Sequence, residues 1–583
     1  MNKTEINFEV RGMLKKITVT QLKRKEIELD QFTMWLPFHL SVTEAWKNFV
    51  TRSLKYEDDH ITYGLWDEKQ LVAVIEGVMI AETFELLNFF TKPKKFSWRK
   101  FFDETGILAR QYRCKKIKLS LPKPLLLDTS LLLKEGFNEV EHVENVTFEK
   151  ELSYHTGLVF GGGGAKGSYQ IGSWKALIES DISIEKVSGT SVGALNGGFV
   201  VQGDYEIAEK MWQTITTKDI LKFPDEQPFE TFRMDELWKN VHDLAVLAVK
   251  SKGIDTTPLQ KMIHQKLDAE RLLSSPIDFN IIATKANTMS ETVMNKKNLT
   301  VESLPLWLQA SASFYPAMAF CEIDKENYID GGYRNNTPQD TLFNQGLTDL
   351  FVIDVSGPGM TKRSTPPNDL SIVYQKSLWS LGSVLLFEPK RAKWNMKLGY
   401  LETKKELHQL SGRYYSFEKT GFKKEIAQLS LGFIDELLRN LKDIELDADT
   451  FQNIIQDDLE KRGMSLETAS LFLLESLARH CKIEPTQVYT VKSLSQLISA
   501  HFGDVNEFQP QHLLSVGEWM DHYLEDASLK ASQMDIWSFY LYFKEYGFTQ
   551  PKEVKNRMIF SLRVSMEALF LIYIERGQKE DGK

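Results

Sequence analysis

The 583-residue sequence predicts an α/β fold in which a parallel-rich sheet flanked by helices is preceded by a small α+β domain and followed by a helical region. Three observations carry that expectation. Between Gly157 and Val201, short apolar runs ending in glycine turns alternate with segments of helical spacing, the pattern of a parallel βαβ unit. Before residue 150, β-rich runs meet at polar turns as hairpin strands do. From Leu370 onward the apolar spacing is almost wholly helical, as in Glu425 to Leu441 and Leu466 to His480.

Composition bounds the class. With 42% apolar and 26% charged residues, the usage is ordinary for globular proteins, and the length exceeds what one compact core supports. A formal net charge of −9, with no long Lys/Arg block, argues against a nucleic-acid partner. Cys114, Cys321 and Cys481 are odd in number and far apart, which suggests neither a disulfide framework nor a metal site. No metal and no cofactor are expected. The opening MNKTEINFEVRGMLKK lacks the apolar core of a signal peptide, and no run approaches the ~20 apolar residues of a spanning helix. A soluble, cytoplasmic protein is expected, with peripheral membrane contact left open. The most apolar stretches, Ser377 to Phe387 and Ala568 to Ile574, are short enough to be core or interfacial elements.

In chain order, Ile61 to Trp66 and Leu71 to Met79 flank the turn Asp67-Glu68-Lys69. Glu85 to Phe90, Lys116 to Leu121 and Val146 to Glu149 are further strands, with helices at Trp98 to Arg113 and Leu125 to Lys134. This order, with LLLKEGF before the last strand NVTFEKEL, resembles the N-acetyltransferase fold. That family holds coenzyme A on a glycine-bearing loop, Q/R-x-x-G-x-G/A. The matching stretch here, Thr91 to Ser97, has no glycine and carries a proline that removes an amide donor. The resemblance implies the fold without the activity, and a structural or regulatory domain at 1–152.

A polar boundary at Glu151 to Thr156 opens the second domain, 153–360. The strand Gly157 to Phe160, the turn Gly161 to Gly164 and the helix Ser168 to Glu179 come first. The strand Ile184 to Ser188 and the helix Val192 to Val201 follow. About 70 mainly helical residues come next, with a polar loop near Phe223 to Phe229. Then come a strand at Ile277 to Ala286, a helix at Leu304 to Ala312 and a hairpin at Cys321 to Asp330 that turns over Asp324 to Asn327. The strand Leu350 to Gly357 is expected to close this domain, and 361–583 forms the helical C-terminal region.

Two turns carry the chemistry. Gly189-Thr190-Ser191-Val192-Gly193 matches G-x-S-x-G between a strand and a small-residue helix, the context of a nucleophile elbow. Its bland alternative is a tight turn with Ser191 as helix N-cap. The second turn, Gly161 to Gly167, spends backbone entropy on four consecutive glycines, so bare amides or unusual dihedrals are needed there. Amides at a helix N-terminus can converge on an anion. A P-loop fails because Lys166 precedes Gly167 and Ser168 instead of following the last glycine. A dinucleotide fingerprint wants an acidic residue at the end of the next strand, where the elbow stands. An acyl-transfer oxyanion is the remaining anion: adjacent parallel strands bring both turns to one sheet edge, facing the amides of Gly162, Gly163 and Gly164 to a carbonyl attacked by Ser191, with a purely structural glycine turn as the bland alternative. Of the residues that could act as base, His155, His242 and His264 lie in no recognisable motif. Asp330 ends the strand NYID ahead of Gly331-Gly332, and partial burial would raise its pKa into a useful range. Its bland alternative is an ordinary Asp-Gly turn.

FGGGGAKGSYQIG, GTSVGALNG, LQASASFYPAM and YIDGGYRNNTPQD, in that order, resemble the signature blocks of patatin-like phospholipases over about 156–357. Downstream, NMKLGYLETKKELHQLSGRYYSFE resembles the corresponding region of bacterial members. The resemblance implies a Ser–Asp dyad, with Ser191 as nucleophile, Asp330 as general base and the glycine-loop amides as oxyanion hole. Lys166 falls on the family's basic position, and Gly167, Gly189, Gly193, Gly331 and Gly332 complete the motifs. Gly161 departs from relatives that carry Ser or Asp there. The expected function is a lipid acyl hydrolase that cleaves lipid or phospholipid esters through an acyl-serine. The alternatives are a non-catalytic lipid-binding or scaffold protein and, third, a dinucleotide-binding enzyme.

Overall fold

The computed structural model describes residues 13–16, 33–36, 42–67, 70–91, 98–122, 130–141, 145–220, 256–315, 317–442, 465–503, 533–550 and 561–581, with a few single positions within 453–459 and 552–554. The chain forms two compact units. One comprises Phe101–Lys115 and Glu151–Gln409; the other comprises Met1–Lys100, Lys116–Lys150 and Leu410–Lys583.

The unit beginning at Glu151 is built on β1 (Thr156–Phe160), α1 (Ser168–Ile178), β2 (Ile184–Thr190) and α2 (Val192–Gln202). Next come α3 (Tyr205–Thr214), α4 (Thr257–Lys266), β3 (Asp278–Lys285) and β4 (Ser290–Asn295). Then α5 (Ser303–Ala312), β5 (Cys321–Ile323), β6 (Glu326–Asp330), β7 (Asp349–Asp354), β8 (Ser371–Lys376) and α6 (Pro389–Glu406) complete the elements used below. The sheet runs β5-β6-β3-β2-β1-β7-β8, with β4 paired to β3. Strands β3, β2, β1, β7 and β8 are parallel to their neighbours in this series, and the β5-β6 hairpin joins antiparallel.

β1 and β7 are buried along their whole lengths, which is why they read as continuous apolar runs rather than alternating ones. α2 is likewise buried at every position, and its small residues Gly193, Ala194, Gly197 and Gly198 let it lie close against the sheet. Phe160 of β1 pairs with Gly189 of β2, so the glycine turn and the serine turn leave the same edge of the sheet on adjacent strands.

Two expectations need correction. β7 does not close this domain: β8 adds to it in parallel, with Asp349 opposite Ser371, and α6 packs on α1, so the unit runs to Gln409 instead of ending at 360. β8 was hard to read because its apolar pair Ile372 and Val373 is only half-buried and follows a polar, proline-bearing run. Within the mainly helical region after Leu370, Leu410–Ser411, Ser416–Glu418 and Val488–Tyr489 form a small sheet. The β5-β6 turn is tighter than expected: Asp324 and Lys325 alone form it, at φ +53° and +65°, the dihedrals of a two-residue hairpin loop. The polar loop near Phe223 to Phe229 lies outside the described residues.

In the other unit, His60–Asp67 and Gln70–Ile80 form the expected antiparallel hairpin, and Thr83–Thr91 continues it. Thr83–Thr91 then pairs in parallel with Lys116–Pro122. Residues 92–97, which hold the glycine-free stretch, lie outside the described residues, as do 125–129 of the second expected helix. The C-terminal part contributes the helices Phe422–Lys442, Ala469–His480, Val491–Gly503, Gln533–Tyr546 and Leu562–Asp581. Within the last of these, the apolar run from Ala568 to Ile574 is core, with Ala568, Phe570 and Leu571 fully buried. Among the described residues no helix is long and apolar enough to cross a membrane.

Candidate active site

Ser191 stands between β2 and α2 at φ 57°, ψ −127°, a conformation that costs a non-glycine residue roughly 1–3 kcal/mol. The turn admits it because both flanking glycines are needed. A methyl group on Gly189 would lie 2.3 Å from the Gly193 carbonyl oxygen, and one on Gly193 would lie 2.1 Å from that of Phe160. Ser191 makes no side-chain capping bond to α2, so its hydroxyl is not spent as an N-cap. The strained backbone is pinned from below. The Ser191 N–H donates to Ser311 Oγ at 2.9 Å, and Ser311 in turn donates to the Ile282 carbonyl at 2.5 Å. Beside it, Thr190 Oγ1 donates to the Asn335 carbonyl at 2.7 Å.

Asp330, at the end of β6, is 4% exposed. Its carboxylate accepts the Gly332 N–H at 2.7 Å and lines the same cavity as Ser191. Burial pushes its pKa up to about 6, against the lowering effect of the nearby Ser191 hydroxyl and the Gly332 amide. Its own N–H donates to the Ser313 carbonyl at 2.8 Å, so the C-terminal end of α5 steadies both members of the pair. Gly331 is packed against the Ile282 carbonyl, with no room for a Cβ.

The glycine loop closes the site. Gly164 has φ +56°, and a Cβ there would lie 2.1 Å from the Val384 carbonyl oxygen, so this position is closed to side chains on two counts. The Gly162 amide donates to the Asn336 carbonyl at 2.9 Å. That bond corrects the expectation that Gly162 serves as an oxyanion donor. The amides of Gly163 and Gly164 make no hydrogen bond within the described residues, and both glycines line the cavity beside Ser191. Lys166 donates from Nζ to the Ser356 carbonyl at 2.9 Å, and its half-burial holds its pKa below the ordinary value. It ties the glycine loop to the loop after β7. Gly167 packs against Val192, and its carbonyl accepts Asn196 Nδ2 at 2.9 Å.

Ser191 and Asp330 open onto a cavity of about 700 Å³, counting its open mouth. Its walls are apolar, including Met211, Trp212, Leu259, Phe314, Met318 and Phe387. The apolar segment Ser377 to Phe387 contributes Val384, Leu385 and Phe387, so part of it is a wall of this cavity. The arrangement can hold a hydrocarbon chain with its carbonyl carbon at Ser191 Oγ.

The histidines lie elsewhere. His155 is exposed and paired with Glu185 at 2.9 Å, His264 is exposed on α4, and His242 is outside the described residues. Sequence reasoning did not single out Ser311, Ser313, Asn335 and Asn336. Their signal was an unusual density of small and amide residues in QASAS and RNNTP, both within the motif blocks already noted.

The α/β domain thus sets a buried serine in a strained strand-to-helix turn on one apolar cavity with a buried carboxylate and a glycine loop, an arrangement suited to acyl transfer. Residues 158–343 match the family model described as patatin-like phospholipase, and this stretch is a patatin domain. A patatin-like phospholipase domain-containing protein of Caenorhabditis elegans, ZK370.4, is 29% identical over 205 residues, 34% of this chain and 13% of its own length. Neuropathy target esterase sws of Drosophila melanogaster is 26% identical over 273 residues, 44% of this chain and 17% of its own. Lysophospholipase NTE1 of Yarrowia lipolytica is 26% identical over 248 residues, 42% of this chain and 15% of its own. The chain thus spans less than a fifth of the length of these relatives. Among solved structures, VipD from Legionella pneumophila aligns with a TM-score of 0.30 at 12% identity, covering 75% of this chain and 94% of that one. The PaiA N-acetyltransferase of Thermoplasma acidophilum aligns at 0.21 and 16%, covering 24% of this chain and 98% of that one. At those scores neither likeness bears on the argument.

Proposed function

We propose that the chain is a cytoplasmic carboxylic ester hydrolase acting on phospholipids or lysophospholipids through a Ser191–Asp330 dyad. The observation that supports this reading is Ser191 sharing the wall of an apolar cavity with a buried carboxylate whose pKa is raised to about 6. In the first step Ser191 Oγ bonds to the ester carbonyl carbon while its proton passes to Asp330. The Gly163 and Gly164 amides hold the oxyanion. The C–O bond to the leaving alcohol then breaks, and Asp330 returns the proton to that alcohol. Water attacks the acyl-serine, Asp330 takes its proton, and the fatty acid leaves as the proton goes back to Ser191. A single-chain phospholipid fits both the apolar cavity and the lysophospholipase name of one relative. In this reading residues 1–152 have a structural or regulatory role.

A fluorophosphonate probe tests the dyad. Wild-type protein is expected to be labelled, and Ser191→Ala to lose labelling and at least ~10³-fold of ester turnover with the fold intact. Labelling of the folded Ser191→Ala protein at the wild-type rate would overturn the assignment.

A further inference from the structure

Three helices meet behind the glycine loop, and each places one hydrogen-bonding side chain there: Gln170 on α1, Asn196 on α2 and Trp212 on α3. All three side chains are buried. Trp212 Nε1 donates to Asn196 Oδ1 at 3.0 Å. Asn196 Nδ2 donates to Gln170 Oε1 at 2.8 Å and to the Gly167 carbonyl at 2.9 Å. Gln170 Nε2 donates to the Gly161 carbonyl at 2.7 Å.

The first member fixes the direction of the whole chain. An indole N–H only donates, so the Asn196 atom that faces it must be the oxygen. Asn196 therefore turns its NH2 group to Gln170, whose facing atom must in turn be the oxygen, and the Gln170 NH2 group is left for Gly161. A carbonyl is thus gripped at each end of the loop Gly161 to Gly167. At the first end the grip is two-sided. The Gly161 carbonyl and the Gly162 N–H belong to one planar peptide, and while Gln170 holds the carbonyl, the Asn336 carbonyl accepts the N–H at 2.9 Å. Gly163 and Gly164, whose amides are assigned to the oxyanion, lie between the two grips. Consecutive glycines have more dihedral freedom to lose than any other sequence, so a loop made of them aims its amides only if it is held from outside.

Asn196 and Trp212 also line the cavity beside Ser191. Both hydrogens of the Asn196 amide and its oxygen are already bonded within the protein, so Asn196 holds the loop and not the ligand.

We propose that Gln170 and Asn196, oriented by the Trp212 N–H, are positioning residues that aim the Gly163 and Gly164 amides at the ester oxygen as it becomes negative. The proposal rests on the lipid-hydrolase reading, because an oxyanion forms there only when Ser191 attacks an ester.

The test uses the full chain with a dissolved short-chain nitrophenyl ester and its thionoester, in which sulfur replaces the carbonyl oxygen. Sulfur is the weaker hydrogen-bond acceptor, so well-aimed amides favour the oxygen ester and badly aimed ones discriminate less. Gln170→Met keeps the length of the side chain and removes the donor. It is expected to lower kcat for the oxygen ester by roughly 10–100-fold with KM little changed, and to shrink the rate ratio of ester to thionoester severalfold. Gln170→Glu should recover part of both, because a buried carboxyl favours its protonated form and the O–H then donates to Gly161. Trp212→Phe keeps a ring in the wall and frees the Asn196 amide to turn, so it should shrink the same ratio by less; it carries the test if Gln170→Met fails to melt as a folded protein. Wild-type kcat in folded Gln170→Met overturns the proposal, and so does a lowered kcat with an unchanged ratio, which would mark general damage to the fold. A wild type that turns over neither ester overturns the hydrolase reading itself, and this role with it.

Discussion

Asp330 and Glu76 are both carboxylates on strands, 4% and 0% exposed, and the two units treat them in opposite ways. Burial pushes each pKa up. At Glu76 it is outweighed by the Arg52 guanidinium, which donates twice at 2.8 Å, by His60 at 2.7 Å and by Asn88, so its pKa ends below the ordinary value. Asp330 accepts the Gly332 amide and has the Ser191 hydroxyl near it, neither of them charged, and stays raised at about 6. The buried carboxylate within the sheet of one unit is given a cation; the one beside Ser191 is denied it, as the proposed exchange of a proton would need.

Exchanging the two treatments separates their roles. Asp330→Asn keeps the shape and removes the base, so turnover on a nitrophenyl ester should fall by roughly 10³–10⁴-fold. Stability should move the other way, because the variant no longer holds an undercompensated charge at pH 7. The gain is up to about 3 kcal/mol, from the span between 3.8 and about 6, and should appear as a raised Tm. A fall in Tm would show that the charge is better compensated than its neighbours suggest. Glu76→Gln should do the reverse, costing roughly 2–4 kcal/mol by leaving Arg52 without a counter-charge and His60 without its carboxylate partner, while fluorophosphonate labelling of the still-folded protein keeps its rate. A smaller effect separates support from chemistry. Ser311→Ala removes the acceptor of the Ser191 N–H and should lower kcat by roughly 10–100-fold with KM little changed, and Ser311→Thr should recover part of the loss. A change confined to KM would assign Ser311 to substrate binding instead.

The same contrast governs what the sequence disclosed. The elements around Ser191 and Asp330 were legible because their residues are forced by local geometry: glycines where a Cβ has no room, and apolar runs where a strand is buried on both faces. β4 and β8 were not, because SETVMN and SIVYQK are half-exposed edge strands without a strong alternation. The supporting residues of the site were hidden for another reason. Asn336 takes the Gly162 amide out of the oxyanion hole with a main-chain carbonyl, a bond that any residue type could make. Glu76 looked like one more charged residue in a β-rich run. Its three donors come from positions 12 to 24 residues away, which only the folded sheet and its neighbouring helix assemble.

The opposed shifts also set opposite pH dependences. With Asp330 as the proposed base, kcat/KM should fall about tenfold per unit as pH drops below about 6 and level off above it. The folded chain binds that proton more tightly than the unfolded chain does. The contribution of Asp330 to stability is therefore fully present below pH 3.8 and is lost as pH rises through about 6. Glu76, whose folded pKa lies below 4.5, contributes stability that is present above 4.5 and is lost as pH falls through the lowered value. Melting curves of wild type and Asp330→Asn should then coincide near pH 4 and separate between pH 4 and 6, with the variant melting higher above pH 6. A separation that stays constant from pH 4 to 7 would mean that Asp330 does not titrate in this range, and the pH profile of turnover would need another group.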